Sequence, residues 1–554
     1  MASVGHNVNI SHDSPIPGTV HLIDLDGTLL TKHASGSAKE VVLVPPPSSH
    51  PDDPLNWSPK RKALSTFCIC LYVLAVGFPC SAIYSILVPV SMNTGLTLDT
   101  LNTGTGYMFL FFGWGCAFWQ PIAIQYGKRP VYLFSLLATL GVVMWVPYTK
   151  TNGDWIGQKI IQGFLGAPIE SLCEVSISDI RFTHDRGTYM MLYGLTLAGS
   201  NYMAPVFAGF IADGQSWEWV MYWCEIFCGF VFIILFFFLE ETNYDRPATS
   251  LNAVLDGEID NPSAIPHTGS IEEKVEPTAA TSSSVDISSD AAITPKTYMQ
   301  KLSLIDRPRS FSHFKFIFWQ PFIFFKYPIV VYAGFAYGSS LVWFNVLNAT
   351  ASLVLSAPPY DFSASMVGLS YLGPALGAVV SPNSALWAGP VGDKLLIRLA
   401  RRNQGRSEPE HRLWLFVLTA IFCPVGLILW GVGAAHSVHW FGLIFAMFIL
   451  SASITIAIPV SCNYAIDTYQ QLGGQAMVTV IIIRNTMSFG INYGITPWIL
   501  NTGYQNTFVV AAFISLAQVL VFLIFVKWGK GWRAGSRERY WTMVEESAKR
   551  GLAH

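Results

Sequence analysis

Twelve apolar stretches recur along the chain from about residue 63, and each is close to the length that a helix needs to cross a bilayer. Roughly 20 apolar residues span about 30 Å of hydrocarbon in helical form. Only 12% of the residues are charged and 52% are hydrophobic, so the chain lacks the charge with which a soluble protein of this size covers its surface. We therefore predict an all-α membrane protein with twelve transmembrane helices, at about residues 63–90, 101–121, 129–149, 155–178, 188–211, 219–239, 327–353, 364–386, 413–434, 439–463, 474–499 and 506–527.

Basic residues are concentrated in every second loop, and this asymmetry predicts the orientation of the chain in the membrane. The loops assigned to the cytosol carry the great majority of them, including Lys128, Arg129, Arg181, Arg186, Lys394, Arg398, Arg401, Arg402, Arg406 and Arg412. The opposite loops carry little beyond Lys150. We predict a disordered cytosolic N-terminal tail over residues 1–62 and a cytosolic C-terminal tail over residues 529–554. The 33 basic and 35 acidic residues balance, so no basic surface indicates a nucleic-acid partner.

Residues 243–315 divide the membrane part into two halves of six helices, residues 63–242 and 316–528. The dividing segment is rich in Ser, Thr, Pro and acidic residues, which predicts a disordered cytosolic linker. A pattern of Gly-x-Asn-Tyr followed by Pro occurs in helix five, from Gly199 to Pro205, and again in helix eleven, from Gly490 to Pro497. The pattern favours two six-helix pseudo-repeats, the layout of secondary transporters that bind their cargo at mid-membrane between the repeats.

The loop after helix two reads Pro121-Ile-Ala-Ile-Gln-Tyr-Gly127-Lys128-Arg129-Pro130. It resembles the second half of the G-x-x-x-D-R-x-G-R-R signature of the major facilitator superfamily, although Ile124 and Gln125 replace the usual Asp and Arg. The second half of the chain has a similar acidic copy, Gly389-Pro-Val-Gly-Asp393-Lys394. The resemblance implies the fold of that superfamily and a gating role for Gly127, Lys128, Arg129, Asp393 and Lys394.

Further motifs narrow the resemblance to one branch. The segment from Ser200 to Gly209, with Pro205 at its centre, is similar to the G-x-x-x-G-P-x-x-G-G motif of drug/proton antiporters. In helix four, Lys159 takes the place of an Arg that the family links to proton coupling and gating. The segments "HPDDPLNW", "APIESLCEVSISDIRFTHDRGTYM" and "EETNYDR" resemble the fungal drug/proton antiporters, a branch that includes the yeast histidinol and polyamine permease and many exporters of secondary metabolites. This resemblance implies a proton-coupled carrier in a fungal membrane, and it leaves the direction of transport open.

Several ionisable residues fall inside the predicted spans, where a charge at mid-membrane costs about 2.5 kcal/mol or more, and three of them are candidates for proton coupling or cargo binding. Glu170 and Glu174 are four residues apart and therefore share one face of helix four. Two carboxylates about 6 Å apart do not easily ionise together, which suits proton exchange. In the alternative interpretation, Glu174 forms a structural pair with a loop arginine. Arg484, near the middle of helix eleven, needs either a buried acid or an anionic group of the cargo as its partner.

Neutral polar and aromatic residues complete the predicted cavity: Gln120, Asn201, Asn345, Asn463, Asn492, Tyr202 and Trp343. Aromatic faces hold cations and flat apolar metabolites alike, so they do not decide between those cargoes. Many membrane aromatics only pack or mark the interface, which is the alternative for each of them. Asn348 begins a glycosylation sequon near the outer end of helix seven.

One motif points to a different class of protein. Asp24-Leu-Asp26-Gly-Thr28 matches the nucleophile motif of haloacid-dehalogenase phosphatases, but a tail of about sixty residues is too short for that domain. No P-loop for ATP is present. We predict that the chain is not an enzyme and needs no cofactor or metal.

The resulting functional prediction is a proton-coupled transporter that exports a small drug-like compound or secondary metabolite by alternating access. Its predicted partners are the organic substrate, protons and the lipid bilayer, and we expect a monomer in the plasma membrane, with a vacuolar or vesicular membrane left open. The alternative is a plasma-membrane importer of polyamines or other organic cations, prompted by Glu170 and Glu174. A third hypothesis is a membrane sensor that does not transport.

Overall fold

The structure of the chain, a computed structural model, describes residues 16–21, 52–244, 298–303, 311–381, 398–399 and 406–549. Most of the predicted disordered segments lie outside these residues: 1–15, 22–51, 245–297 and 304–310. Disorder in the tail and in the linker therefore stays a prediction.

The first half of the chain, within residues 52–244, forms six spans, of which two are broken. The broken first span consists of α1 and α2, and the broken fourth span consists of α5 and α6. A proline cannot donate a backbone hydrogen bond, and Pro168 accordingly stands at the first position of α6, where none is needed. The helices are α1 (Pro59–Ser81), α2 (Ile83–Thr94), α3 (Leu98–Tyr126), α4 (Lys128–Trp145), α5 (Asn152–Gly166), α6 (Pro168–Ile180), α7 (Thr183–Gly214) and α8 (Trp217–Phe238).

Two shorter helices precede the spans of the second half, which ends in two long helices. Its helices within the described residues are α9 (Tyr298–Lys301), α10 (Phe311–Ile323), α11 (Pro328–Ser356), α12 (Ala364–Ser370), α13 (Leu372–Val380), α14 (Phe416–Ala435), α15 (Trp440–Thr468), α16 (Gly473–Leu520) and α17 (Phe522–Lys549). Gly503, with a φ of +73°, interrupts α16 and separates the eleventh span from the twelfth. α17 carries the helix on through residues 529–549 of the predicted C-terminal tail.

The predicted fold class is confirmed. Ten helical stretches in the described part of the chain are long and apolar enough to cross a membrane. One of them, Gln470–Ser547, holds both the eleventh and the twelfth span, and the shorter apolar stretch Ala364–Val380 lies where the eighth was predicted. A small departure from an all-α fold is the antiparallel pairing of β1 (Val20–His21) with β2 (Arg406–Ser407).

Short connections make successive spans antiparallel, so the molecule has two faces. We call the face at which α1 and α11 begin the terminal face, and the face at which α2 and α11 end the opposite face. Side chains of both halves, including Tyr202 and Trp343, form one continuous hydrophobic core near the opposite face. Near the terminal face there are two cores, one around Tyr132 with a strip of α16 and one around Tyr464. The halves therefore share one core near the opposite face, whereas near the terminal face α16 of the second half packs on the core of the first half.

Small residues allow this close packing where α7 crosses α12. A Cβ atom added to Gly209 would collide with the backbone of Ala364, and one added to Gly368 would lie 2.5 Å from the carbonyl oxygen of Pro205. Beside this crossing, the carboxylate of Asp213 accepts a hydrogen bond of 2.8 Å from the backbone N–H of Ser365. Backbone packing thus closes the opposite face.

The substitution Gly209→Val should open this crossing, because the added side chain has no room against α12. We expect a loss of stability of about 1–3 kcal/mol, the usual effect of overpacking. The matched control is Gly199→Val in the same helix, since nothing lies within 4 Å of a Cβ atom at that position. Thermal unfolding in detergent measures both variants, and an equal loss in the two would contradict the role of Gly209.

Candidate functional site

A break in the fourth span places two carboxylates near the middle of the molecule. Glu170 lies in the first turn of α6, where free backbone N–H groups favour a negative charge. It is about 15 Å along the helix from Ile180 at the terminal face. Glu174 follows one turn later on the same face of α6. The predicted common face of the two acids follows directly from this helix.

Arg484 of α16 is the partner of Glu170, so the buried acid expected from the sequence comes from the other half of the chain. Its guanidinium Nη2 pairs with Glu170 Oε1. Glu170 Oε2 accepts a hydrogen bond of 2.6 Å from Asn485 Nδ2. Arg484 Nη1 in turn donates to Tyr337 Oη of α11 at 2.6 Å. Four side chains from three helices therefore form one polar cluster.

This cluster, which we call the central cluster (Glu170, Tyr337, Arg484 and Asn485), is buried at mid-depth. Arg484 is about 16 Å and Tyr337 about 13 Å from the terminal-face ends of their helices. Only 7% of the Arg484 side chain and 11% of the Glu170 side chain are exposed. Removal of one partner from such a buried pair typically costs about 3–5 kcal/mol, because it leaves an uncompensated charge. The pair therefore holds the two halves together electrostatically.

Glu174 differs from Glu170 in that the described residues offer its carboxylate no hydrogen bond and no ion pair. It is half-buried, one helical turn closer to the terminal face. Of the two loop arginines in the alternative interpretation, Arg181 has its guanidinium on the ring of Tyr189 and bonded to Thr66, and the side chain of Arg186 is outside what the structure describes. A carboxylate without a fixed partner is free to exchange a proton or to bind a cationic group.

Two of the predicted cavity residues belong to the contact between the halves near the opposite face. Tyr202 Oη accepts a hydrogen bond of 2.8 Å from Ser451 Oγ of α15, and its ring packs edge-on against Phe344. Asn492 packs against Gly106, where an added Cβ atom would lie 3.0 Å from the Asn492 side chain. Both residues pack between the halves in this conformation, and their contact with cargo stays a prediction.

Two other predicted cavity residues form hydrogen bonds within their own halves. Ser81 Oγ donates to Asn201 Oδ1 at 2.6 Å. The indole N–H of Trp343, which is buried, donates to Gln518 Oε1 at 3.1 Å. These contacts favour the structural alternative for Asn201 and Trp343.

The remaining predicted polar residues keep unused hydrogen-bonding capacity. Gln120 reaches the backbone carbonyl of Gly474 in the other half at 3.5 Å, and its side-chain oxygen has no partner in the described part of the chain. Asn345 is buried, and its amide nitrogen likewise finds no acceptor there. Asn463 is half-buried. Their contact with cargo stays a prediction.

The predicted gating motif after helix two forms a compact cluster of ion pairs and hydrogen bonds in the first half. Gly127 has a φ of +113°, and the carboxylate of Glu241 accepts hydrogen bonds from the backbone N–H groups of Lys128 and Arg129 at 3.0 and 2.9 Å. The Lys128 ammonium pairs with Asp179 at the end of α6. The guanidinium of Arg129 donates to carbonyl groups at the end of α8. This cluster thus links the start of α4 to the terminal-face ends of α6 and α8.

Lys159 is buried in α5, away from the central cluster. Its ammonium donates to Gln162 Oε1 at 2.8 Å and lies 4.8 Å from the centre of the Trp155 ring. No carboxylate pairs with it among the described residues. Its gating role stays a prediction.

The other predicted gating residues have different outcomes. Pro205 lies at the α7–α12 crossing, where its carbonyl oxygen faces Gly368. Asp393 and Lys394 lie outside the described residues.

The sequon at Asn348 is buried. Asn348 is 3% exposed within α11, and its side-chain oxygen accepts a hydrogen bond of 3.3 Å from Tyr371 Oη. A glycosyltransferase cannot reach a side chain in this position, so the structure speaks against glycosylation there.

The sequence analysis missed Tyr337, Asn485 and Glu241. Asn485 directly follows Arg484 in "VIIIRNTMSFG", where Thr486 and Ser488 are also polar, so its position next to the arginine was the one available signal. Glu241 is the second residue of the segment "EETNYDR", whose resemblance to the family branch gives no indication of this contact. Nothing in the sequence distinguished Tyr337, because many tyrosines in transmembrane spans only pack against neighbouring helices.

Comparisons with known proteins agree with this architecture. The family model described as Major Facilitator Superfamily matches residues 67–491. An uncharacterized MFS-type transporter of Schizosaccharomyces pombe is 27% identical to the chain, with 96% of this chain and 94% of the relative covered. Protein HOL1 of Saccharomyces cerevisiae is 27% identical, with 96% and 97% covered. The MFS transporter cpaT of Aspergillus oryzae is 23% identical, with 88% and 90% covered.

Among solved structures, a partially occluded inward-open conformation of the xylose transporter XylE from E. coli is similar to the chain. The TM-score is 0.52 at 11% sequence identity, and the match covers 84% of this chain and 99% of the transporter. At this identity the likeness concerns the fold alone.

The central cluster predicts strong energetic coupling between Glu170 and Arg484. Glu170→Gln and Arg484→Gln should each lower the stability by about 3–5 kcal/mol, because each leaves a buried charge alone. The double variant should recover part of this loss, since it buries no uncompensated charge. Thermal unfolding of the four proteins in detergent gives the coupling energy. Additive losses would show that the two side chains do not depend on each other.

Proposed function

The chain belongs to the Major Facilitator Superfamily, and on that premise we propose that it is a proton-coupled transporter that exports a small drug-like compound or secondary metabolite by alternating access. The observation that carries the proposal is the carboxylate of Glu174, which has no partner among the described residues and lies next to an ion pair between the two halves. Family membership itself makes the chain a multi-pass membrane transporter.

The two acids of α6 have different partners, which suggests different roles. Glu170 is fully engaged by Arg484 and Asn485, so its charge is already compensated. Glu174 has no such partner among the described residues and lies closer to the terminal face. We therefore assign proton uptake and release to Glu174, and the coupling of the two halves to the Glu170–Arg484 pair.

The orientation of the chain in the membrane decides from which side cargo reaches the centre. The basic loops favour a cytosolic position for the terminal face. In this conformation the core near the opposite face takes side chains from both halves, whereas the two cores near the terminal face are centred on different halves, with α16 of the second half packed on the core of the first. Such a state offers its centre to cytosolic cargo, and a proton that arrives from outside in the alternate state supplies the driving force for export.

The charge of the centre supports export of a compound with little charge over uptake of polyamines. Glu170 and Arg484 cancel, so Glu174 is the one acid of the two that a cationic cargo can pair with. A polyamine carries several ammonium groups and needs several carboxylates. Uptake of an organic cation is the second candidate, and the same unpartnered carboxylate of Glu174 favours it for a cargo with a single charge.

The setting of the transporter is part of the proposal. We propose a monomer in the plasma membrane of a fungal cell, with both termini in the cytosol. Its partners are the organic cargo, protons and the surrounding lipids.

The experiment that tests the direction compares the compounds secreted by the source fungus with and without the gene, by mass spectrometry of the medium and of the cells. We expect at least one small organic compound to disappear from the medium and accumulate in the cells. Uptake of labelled spermidine is measured alongside, in yeast that lacks its own polyamine permease and expresses the chain. Spermidine uptake that is lost in Glu174→Gln, with unchanged secretion, would replace the export proposal by the importer.

The substitution Glu174→Gln distinguishes a role in proton coupling from a role in binding the cargo. In Glu174→Gln, secretion of the identified compound should no longer respond to the external pH between about 5 and 7, because the group that carries the proton is missing. The control is Glu538→Gln on the exposed face of α17, which should retain the pH response. A pH response that persists in Glu174→Gln at normal expression would assign proton transport to another residue.

A further inference from the structure

A short segment of the N-terminal tail is bound to the second half of the chain, although the tail continues into the first half. Residues 16–21 lie at the terminal face between the ends of α14, α15 and α17. β1 pairs with β2 in the antiparallel register Val20–Ser407 and His21–Arg406. Arg533 of α17 donates to the carbonyl oxygen of Pro17 at 2.8 Å.

The centre of the bound segment is Gly18, whose position accepts no other residue easily. Its φ of +83° is unfavourable for a residue with a side chain. An added Cβ atom would lie 2.8 Å from Thr468 Cα, 2.9 Å from the Asp467 carbonyl oxygen and 3.0 Å from the Pro409 ring. The segment therefore fits closely against the end of α15 and the turn that precedes α14.

The floor of this binding site is a buried cluster with balanced charge. Arg533 is 0% exposed and pairs with both Glu408 and Glu410, and the ammonium of Lys530 pairs with Glu408 at 2.8 Å. Burial by itself would raise the pKa of Glu408, but Lys530 and Arg533 lower it below its usual range. The two acids and two bases leave no net charge.

Thr19 of the bound segment joins this cluster. Its hydroxyl donates to Glu408 Oε2 at 3.2 Å and accepts a hydrogen bond of 3.2 Å from Arg533 Nη1. The cluster is neutral before Thr19 is considered, so any charge on this side chain would unbalance it.

The other end of the tail is anchored to the first half. Residues Pro54–Asn56 form a turn that packs against α6. Lys62 donates to the carbonyl oxygen of Leu55 at 2.9 Å, and the Arg61 guanidinium lies 4.1 Å from the centre of the Trp57 ring. The tail is thus attached to α6, which carries Glu170 and Glu174, and to the end of α15 in the other half.

We propose that residues 16–21 are a releasable clasp, an internal peptide ligand of the terminal face of the second half, and that phosphorylation of Thr19 releases it. Six residues with few hydrogen bonds repay only part of the conformational entropy that their ordering costs, so the clasp exchanges between bound and free states. In the bound state it ties the ends of α14, α15 and α17 together.

The release step is a phosphoryl transfer. A protein kinase moves the γ-phosphoryl group of a nucleoside triphosphate to Thr19 Oγ1: a new P–O bond forms, the bond to the leaving diphosphate breaks, and the hydroxyl proton is lost to the kinase base. The product has no hydroxyl with which to donate to Glu408, and it adds about two negative charges beside two carboxylates. Release by a kinase requires the cytosolic sidedness proposed above, whereas the binding of the segment does not.

A disulfide across the β1–β2 pair tests the clasp in the full-length chain. Val20→Cys and Ser407→Cys occupy paired positions, where two cysteines are close enough to be bridged under mild oxidation. A protease site inserted within residues 245–297 separates the halves after the reaction, so that only cross-linked chains keep both fragments together on a non-reducing gel. Ser407→Cys alone is the background control.

Two pairs of variants in this cysteine background decide the outcome. Gly18→Val and Thr19→Glu should each reduce the rate of cross-linking about tenfold, since the first cannot adopt the bound backbone and the second brings a negative charge to Glu408. Gly531→Val, at a glycine of α17 with open space around it, and Thr19→Ser, which keeps the hydroxyl, should cross-link at the parent rate. No cross-link in the parent, or equal rates in all variants, would overturn the clasp. Loss with Gly18→Val but not with Thr19→Glu would overturn its release by phosphorylation.

Discussion

The ion pair between Glu170 and Arg484 is the contact on which the arrangement of the two halves depends. A buried charge at this depth is costly without a partner, so each side chain fixes the position of the other. Through Asn485 and Tyr337 the pair also sets the relation of α6 to α16 and α11. Glu170 stands two residues after Pro168, at which the fourth span is broken.

Two kinds of contact divide the molecule along the membrane normal. Near the opposite face, close backbone packing at Gly209 and Gly368 and one shared apolar core join the halves. Near the terminal face, the described ion pairs Lys128–Asp179 and Arg412–Asp467 each stay within one half. A rocking motion about the central cluster therefore has to break packing on one side, where no ion pairs between the halves are described, and to create contacts on the other. Alternating access requires that, in any one conformation, the contacts between the halves differ between the two sides of the membrane.

The fold could be predicted because bilayer thickness imposes a segment length that can be counted in the sequence, and Gly503 interrupts α16 within the gap predicted between the eleventh and twelfth spans. The shared face of Glu170 and Glu174 was also predictable, since helical geometry is local. The partner of Glu170 was not, because Arg484 is brought to it by packing between halves that no spacing in the sequence encodes. For the same reason Asn201 and Trp343 were assigned to a cavity, whereas each forms a hydrogen bond within its own half.

The neutrality of the Glu170–Arg484 pair has a consequence for the response to membrane potential. A single elementary charge that crosses the whole field is worth about 2.3 kcal/mol per 100 mV. Two opposite charges that move together do no net electrical work. Voltage therefore acts on the centre of this transporter through Glu174 and through the charge that the cargo brings. A neutral cargo exchanged for one proton would make each cycle electrogenic by one charge.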